Sequence, residues 1–242
     1  MRSILPEIVR AECAPGAGVV IACEHASAFI PDEFADLGLA PAARLSHIAW
    51  DPGALDIALR LSALCAAPLI AGSVSRLVYD CNRPPEAPDA IPARSEVFDV
   101  PGNRDILAAD RAARAAAIHA PFHGALSNML AAAPEAALVT VHSFTPVWHG
   151  RRRDFTLGVL HDSDARLADA LLVAAADLDP RRNAPYGPED GVTHTLKLHA
   201  LETGRLNVML EIRSDVIVDT PSAHRFADDL APRLLAAIRA AS

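Results

Sequence analysis

The run Val19-Val20-Ile21-Ala22-Cys23, closed by Glu24-His25, decides the fold. Its small and β-branched residues show no polar alternation, the pattern of a strand buried on both faces of a parallel sheet. Such a strand needs neighbours beside it and helices above and below, and the rest of the chain supplies both. Short β-rich runs alternate with longer Ala/Leu-rich stretches, which predicts βα units around a mostly parallel sheet. Further strands are expected at Leu69–Ala71, Leu77–Cys81, Ala137–His142, Phe155–His161 and Leu206–Ile212. Asp51-Pro52 reads as a carboxylate cap before a first-turn proline, opening a helix that carries Leu55, Leu59 and Ser62 on one stripe and stops before Pro68. Arg104–Ala133 reads as a helix kinked near Pro121, with others over Asp164–Ala176, near Thr195–Thr203 and from about Ser222. Between them lies a proline-rich loop, Asn82–Asn103, of a length that marks functional or mobile segments. The 242 residues read as a single α/β domain, 1–242.

Composition removes whole classes of function. Apolar residues make up 51% and charged residues 21%, a globular balance. With 22 Lys+Arg against 30 Asp+Glu the net charge is −8, opposite in sign to what a phosphate backbone attracts, so no nucleic-acid partner is expected. The charge-free stretch Leu61–Ser75 is interrupted by Ser62, Pro68 and Gly72 and is too short to span a bilayer. No signal peptide is read at the N-terminus, and the expectation is a cytoplasmic protein. Cys13, Cys23, Cys65 and Cys81 form no C-x-x-C pair and read as reduced thiols. Gly16-Ala17-Gly18 lacks the third glycine of a dinucleotide loop.

In open α/β sheets ligands bind beyond the carboxyl ends of the strands. The residues there are strongly polar: Glu24 and His25, Asn82 and Arg83, His142 and Ser143, then Glu211, Arg213 and Asp215. Two histidines and a carboxylate suit a catalytic Zn2+ or another divalent metal, because three protein ligands leave one position for water. His25 and His142 are the histidines. The acid is either Asp51, which also reads as a plain helix cap, or Glu24, which strand alternation turns away from His25. Glu211 ends an apolar strand and reads either as a general base or as a salt-bridge partner of Arg213 or Arg76. Arg76, Asn82 and Arg83 form a receptor for a small carboxylate-bearing substrate, or pair with Asp80 or Asp51. A pocket of this kind could also serve a non-catalytic binding protein.

The segments Cys23-Glu24-His25-Ala26-Ser27, His47-Ile48-Ala49-Trp50-Asp51, Ser75 to Pro84, Pro101-Gly102-Asn103, His142-Ser143-Phe144-Thr145-Pro146 and Glu211-Ile212-Arg213 resemble the N-formylglutamate amidohydrolase family over about residues 18–215. The resemblance implies a zinc-exopeptidase-like three-layer sandwich with a mixed, mostly parallel sheet. It also implies hydrolysis of N-formyl-L-glutamate, a histidine-degradation reaction, or of another N-acyl amino acid. A more distant similarity to zinc carboxypeptidases and aspartoacylase-type deacylases implies metal ligands at His25, Asp51 and His142 and a catalytic Glu211. It also places Asn82, Arg83 and Ser143 at the substrate; Arg76 and Arg213 are further expected to bind it. The compact H-x-x-E of those relatives is missing at His25, where Ala28 stands third along; an H-x-x-E occurs instead at His199–Glu202, and the resemblance brings His199 near the site. Oligomeric state is not legible.

Overall fold

The computed structural model describes residues 4–5, 7–9 and 18–242. Val19–Cys23 is a strand with every residue buried, and its alternate side chains part to opposite faces. Val19, Ile21 and Cys23 enter one apolar cluster, Val20 and Ala22 the other. This strand is β2 of a seven-stranded sheet whose other members are β1 (Glu7–Val9), β3 (Leu69–Ala71), β4 (Ala137–Phe144), β5 (Leu157–Leu160), β6 (Arg181–Arg182) and β7 (Asn207–Arg213). Across the sheet the order is β1-β3-β2-β4-β7-β5-β6. The central strands β3, β2, β4 and β7 run parallel; β1 lies antiparallel to β3, and β5 antiparallel to β7.

Helices α1 (Ala54–Cys65), α2 (Ala108–Arg114), α3 (Ala120–Ala132), α4 (Arg166–Ala174), α5 (His194–Leu196) and α6 (Thr220–Ala241) cover both faces. On one side Leu61 of α1, Leu171 of α4 and Leu234 of α6 join Ile21, Val139 and Leu210 of the sheet. On the other, Phe122 and Leu126 of α3 and Leu196 of α5 join Val20, Leu138 and Met209. Each such side chain taken fully out of water contributes about 1.5–3 kcal/mol. The expected three-layer α/β sandwich with a mixed, mostly parallel sheet is therefore the observed fold. No helix among the described residues is long and apolar enough to cross a membrane. Cys23, Cys65 and Cys81 are free thiols; Cys13, the N-terminal residues read for a signal peptide and Gly16-Ala17 lie largely outside the described residues.

Four local expectations need correction. Asp51 does not cap α1: the residue before the helix is Gly53, in the left-handed region at φ 79°, and a Cβ there would meet the Ile217 carbonyl at 2.5 Å. Leu77–Cys81 is not a strand, because its backbone groups bond to loops instead of a ladder. Val78 N donates to Ser75 O at 2.9 Å, Asp80 N to Ala90 O at 2.8 Å, and the Asn103 amide to Leu77 O at 2.8 Å. Arg104–Ala133 starts as a helix only at Ala108, and its irregularity is a π turn over Ala115–His119 just before Pro121. The Thr195–Thr203 helix is the short α5 followed by a second π turn, Lys197–Leu201.

Candidate active site

Strand ends β2, β4 and β7 lie side by side, and register pairs Glu211 of β7 with His142 of β4. On the other flank Glu211 faces Gly158 of β5, where the missing side chain leaves room: a Cβ would sit 3.1 Å from Glu211 Cβ and 1.9 Å from the Ala184 carbonyl. The chain leaving β2 turns at Glu24-His25, and Asp51 N donates to His25 O at 2.9 Å, which ties the approach to α1 against that turn. These contacts bring residues from distant stretches to one floor. Three atoms converge on it: His142 Nδ1 lies 3.0 Å and His25 Nδ1 3.3 Å from Asp51 Oδ2, and the two imidazole nitrogens are 3.2 Å apart. A tetrahedral ion with bonds of about 2.0–2.1 Å spaces its ligand atoms about 3.3 Å apart.

The outward nitrogens are also held. His25 Nε2 meets Asp80 Oδ1 at 2.7 Å, and His142 Nε2 lies 3.2 Å from Glu24 Oε2, an ion pair off hydrogen-bond alignment. Carboxylates behind ligating imidazoles fix ring orientation and raise basicity. Arg76 Nη2 donates to Asp80 Oδ2 at 2.8 Å, and Nη1 lies 3.5 Å from Asp51 Oδ1. Glu24, Asp51, Asp80 and Glu211 are all buried here, and the Arg76 guanidinium pairs with two of them, Asp51 and Asp80. That shortage of positive charge shows in the titration of the histidines. Burial and the Arg76 cation push His25 down, and Asp80 and Asp51 outweigh them; burial likewise disfavours the His142 cation, and Glu24 with Asp51 raises it well above the usual imidazole range. Burial would raise Glu24 too, yet His142 holds it at about 2, and the imidazoles keep Asp51 far below the carboxylate range. The donor set therefore fits a divalent cation: two imidazoles and one carboxylate, with negative charge to spare.

Glu211 behaves in the opposite sense. Burial pushes it up to about 7, with His142 opposing and Asp51 reinforcing, and its Oε2 has no hydrogen-bond partner among the described residues. Above this floor opens a cavity of about 380 Å³, with His47, Arg76, Arg83 and Arg94 among the cationic and imidazole side chains of its wall and Trp148 and Tyr186 among its aromatics.

The other expected residues divide. Asn82 lines the cavity, but its side chain is taken up by α5 and the loop before it: Nδ2 donates to Val192 O at 2.5 Å and Oδ1 accepts from Thr195 N at 3.0 Å. Ser143 Oγ donates to Pro52 O at 2.8 Å, and Ser143 N approaches Asp51 Oδ2 at 3.3 Å, so it positions the acid. Arg83 lines the wall while donating to Asp89 at 2.7 Å and to Gly191 O at 2.6 Å. Arg213 is not brought to the cavity; Asp215 and the Arg153 and Phe155 carbonyls take up its guanidinium. His199 also lies away from it, its Nε2 2.8 Å from His123 Nδ1. Sequence reasoning missed Asp80 as the partner of His25, because a strand assignment over Leu77–Cys81 hid it. Tyr186 gave no signal.

Fold and site together define a three-layer α/β protein with a histidine- and carboxylate-lined pocket at the carboxyl edge of its sheet. The N-formylglutamate amidohydrolase family model matches residues 17–218, and the chain belongs to this amidohydrolase family. Among solved structures, a gene product of Agrobacterium tumefaciens aligns with a TM-score of 0.93 at 49% identity, covering 97% of this chain and 95% of that one. An N-formylglutamate amidohydrolase from Ralstonia eutropha aligns with a TM-score of 0.69 at 16% identity, covering 98% and 97%, a likeness of fold. Among curated proteins no match is found.

Proposed function

We propose that the pocket hydrolyses N-formyl-L-glutamate to formate and L-glutamate with the help of a divalent metal, zinc by preference, held by His25, Asp51 and His142. The observation that carries this reading is the convergence of those three ligand atoms beside a buried carboxylate with an unpartnered oxygen. A cation there supplies a Lewis acid for the formyl carbonyl and lowers the pKa of adjacent water. Glu211, ionising near neutrality, accepts the proton of the attacking water. A C–O bond forms at the formyl carbon, the C–N bond breaks, and Glu211 returns the proton to the departing amine. Asp80 and Glu24 hold the two imidazoles in orientation from behind. Arg76 and Arg83 on the cavity wall receive the carboxylates of a dicarboxylic amino acid, and the Arg76 cation also offsets charge on the carbonyl oxygen.

Formate release is measured on metal-loaded protein with formyl, acetyl and succinyl derivatives of glutamate and aspartate, compared by kcat/KM. The proposal expects the formyl glutamate to lead and Glu211→Gln to abolish turnover with metal content unchanged. Turnover led by another acyl amino acid would redirect the substrate assignment. No turnover of any of them with metal bound would overturn the enzymatic reading.

A further inference from the structure

We propose that His119, His123 and His194 form a second divalent-metal site, an all-imidazole one, separate from the strand-end pocket. His119 ends the π turn before α3 and His123 lies one turn further on, so the two side chains share a helix face. His194 opens α5 opposite them. His119 Nε2 and His194 Nε2 are 3.2 Å apart, and one ligand atom from each of the three rings lies within 4.8 Å of the others.

The orientation of His123 is set from behind. Its Nε2 lies 2.8 Å from the Cys81 carbonyl, which only accepts, so Nε2 carries the hydrogen and Nδ1 keeps its lone pair. A backbone carbonyl behind a ring nitrogen is a recurrent support for a metal-ligating imidazole. In the metal-free protein that lone pair is taken by His199 Nε2 at 2.8 Å; binding exchanges this hydrogen bond for coordination. His194 is half-buried, so the cluster is not sealed from solvent.

Two further features fit a site better than an incidental polar core. Both helical segments break into π turns where histidines sit, Ala115–His119 and Lys197–Leu201, and π turns concentrate at functional positions. Neutral imidazoles without thiolate or carboxylate suit Zn2+, Co2+, Ni2+ or Cu2+ rather than Mg2+ or Ca2+. An ion here would staple α3 to α5. Since Asn82 binds both Val192 O and Thr195 N, and Asn82 and Val192 line the strand-end cavity, the staple would fix one wall of that cavity.

Co2+ titration of the chelator-treated full chain tests this, read by visible absorption, by metal content after desalting and by the histidine ring resonances. Wild type should take up two equivalents, one of them broadening His119, His123 and His194. The double variant His119→Asn/His194→Asn should retain one, as should Asp51→Asn. If the double variant does not fold, the wild-type resonances decide. Uptake at submillimolar free Co2+ that leaves the His119, His123 and His194 resonances sharp, a double variant that binds as many equivalents as wild type, or broadening confined to other histidines overturns the proposal. Uptake confined to the three rings named would leave this inference standing and remove the strand-end metal instead.

Discussion

Glu211→Gln separates chemistry from stability at one buried position. In the native protein burial holds Glu211 at about 7 against an ordinary value of 4.5. Below the lower value both native and unfolded chains carry the proton. Between the two the native protein keeps a proton that the unfolded chain has released, so stability falls as pH rises. At 1.36 kcal/mol per pH unit the loss amounts to about 3 kcal/mol, complete once pH exceeds about 7. Glutamine never ionises and escapes it. Urea unfolding in EDTA should therefore show the variant gaining on wild type by up to about 3 kcal/mol between pH 4.5 and pH 8, the other titrating groups cancelling in the difference. A divalent cation at His25, Asp51 and His142 favours the Glu211 anion, so metal loading should shrink the gain. For the same reason the acid limb of kcat/KM in the loaded enzyme should have its midpoint at or below 7. A stability difference that stays flat with pH, or one that favours wild type at pH 8, would refute the assignment of Glu211 as a carboxyl strained by burial.

Asp51→Asn should leave the strand-end site without stoichiometric metal by elemental analysis and cut formate release by more than the loss at Asp80, because Oδ2 is one of the three converging atoms. Asp80→Asn keeps the shape and removes the charge behind His25; chelator competition and kcat/KM should each fall about 10–100-fold. Gly158→Ala drives a Cβ to 1.9 Å from the Ala184 carbonyl and 3.1 Å from Glu211 Cβ, so it should destabilise by about 2 kcal/mol or more in urea unfolding and impair turnover.

The central strands were legible because their environment is uniform. β2, β3, β4 and β7 are buried on both faces, so apolar runs with no alternation marked them within a residue or two. Leu77–Cys81 has the same composition and is buried as well, yet it is a loop. Burial, not ladder pairing, is what its Leu-Val-Tyr run encodes, and periodicity over five residues cannot separate the two. The π turns escaped for a related reason, since one extra residue in a helical turn leaves an alanine-rich segment looking helical.

Asp51 shows how far residue type carries a site and where it stops. Aspartate before Pro52 has the signature of a helix cap. Gly53 overrides it: with a positive φ and no space for a Cβ, it takes the capping position and frees the Asp51 carboxylate to turn toward His25 and His142. Glu24 shows the converse. Strand alternation correctly turned it from His25, but nothing local could reveal that this sends it behind His142, on a strand more than a hundred residues later. Chain-local rules fix where a side chain leaves the backbone. What it meets there depends on which segments are neighbours, so the converging atoms were legible as residue types at strand ends, while Glu24 acquired its role only through the β2–β4 pairing and Asp80 only through the loop that brings it to His25.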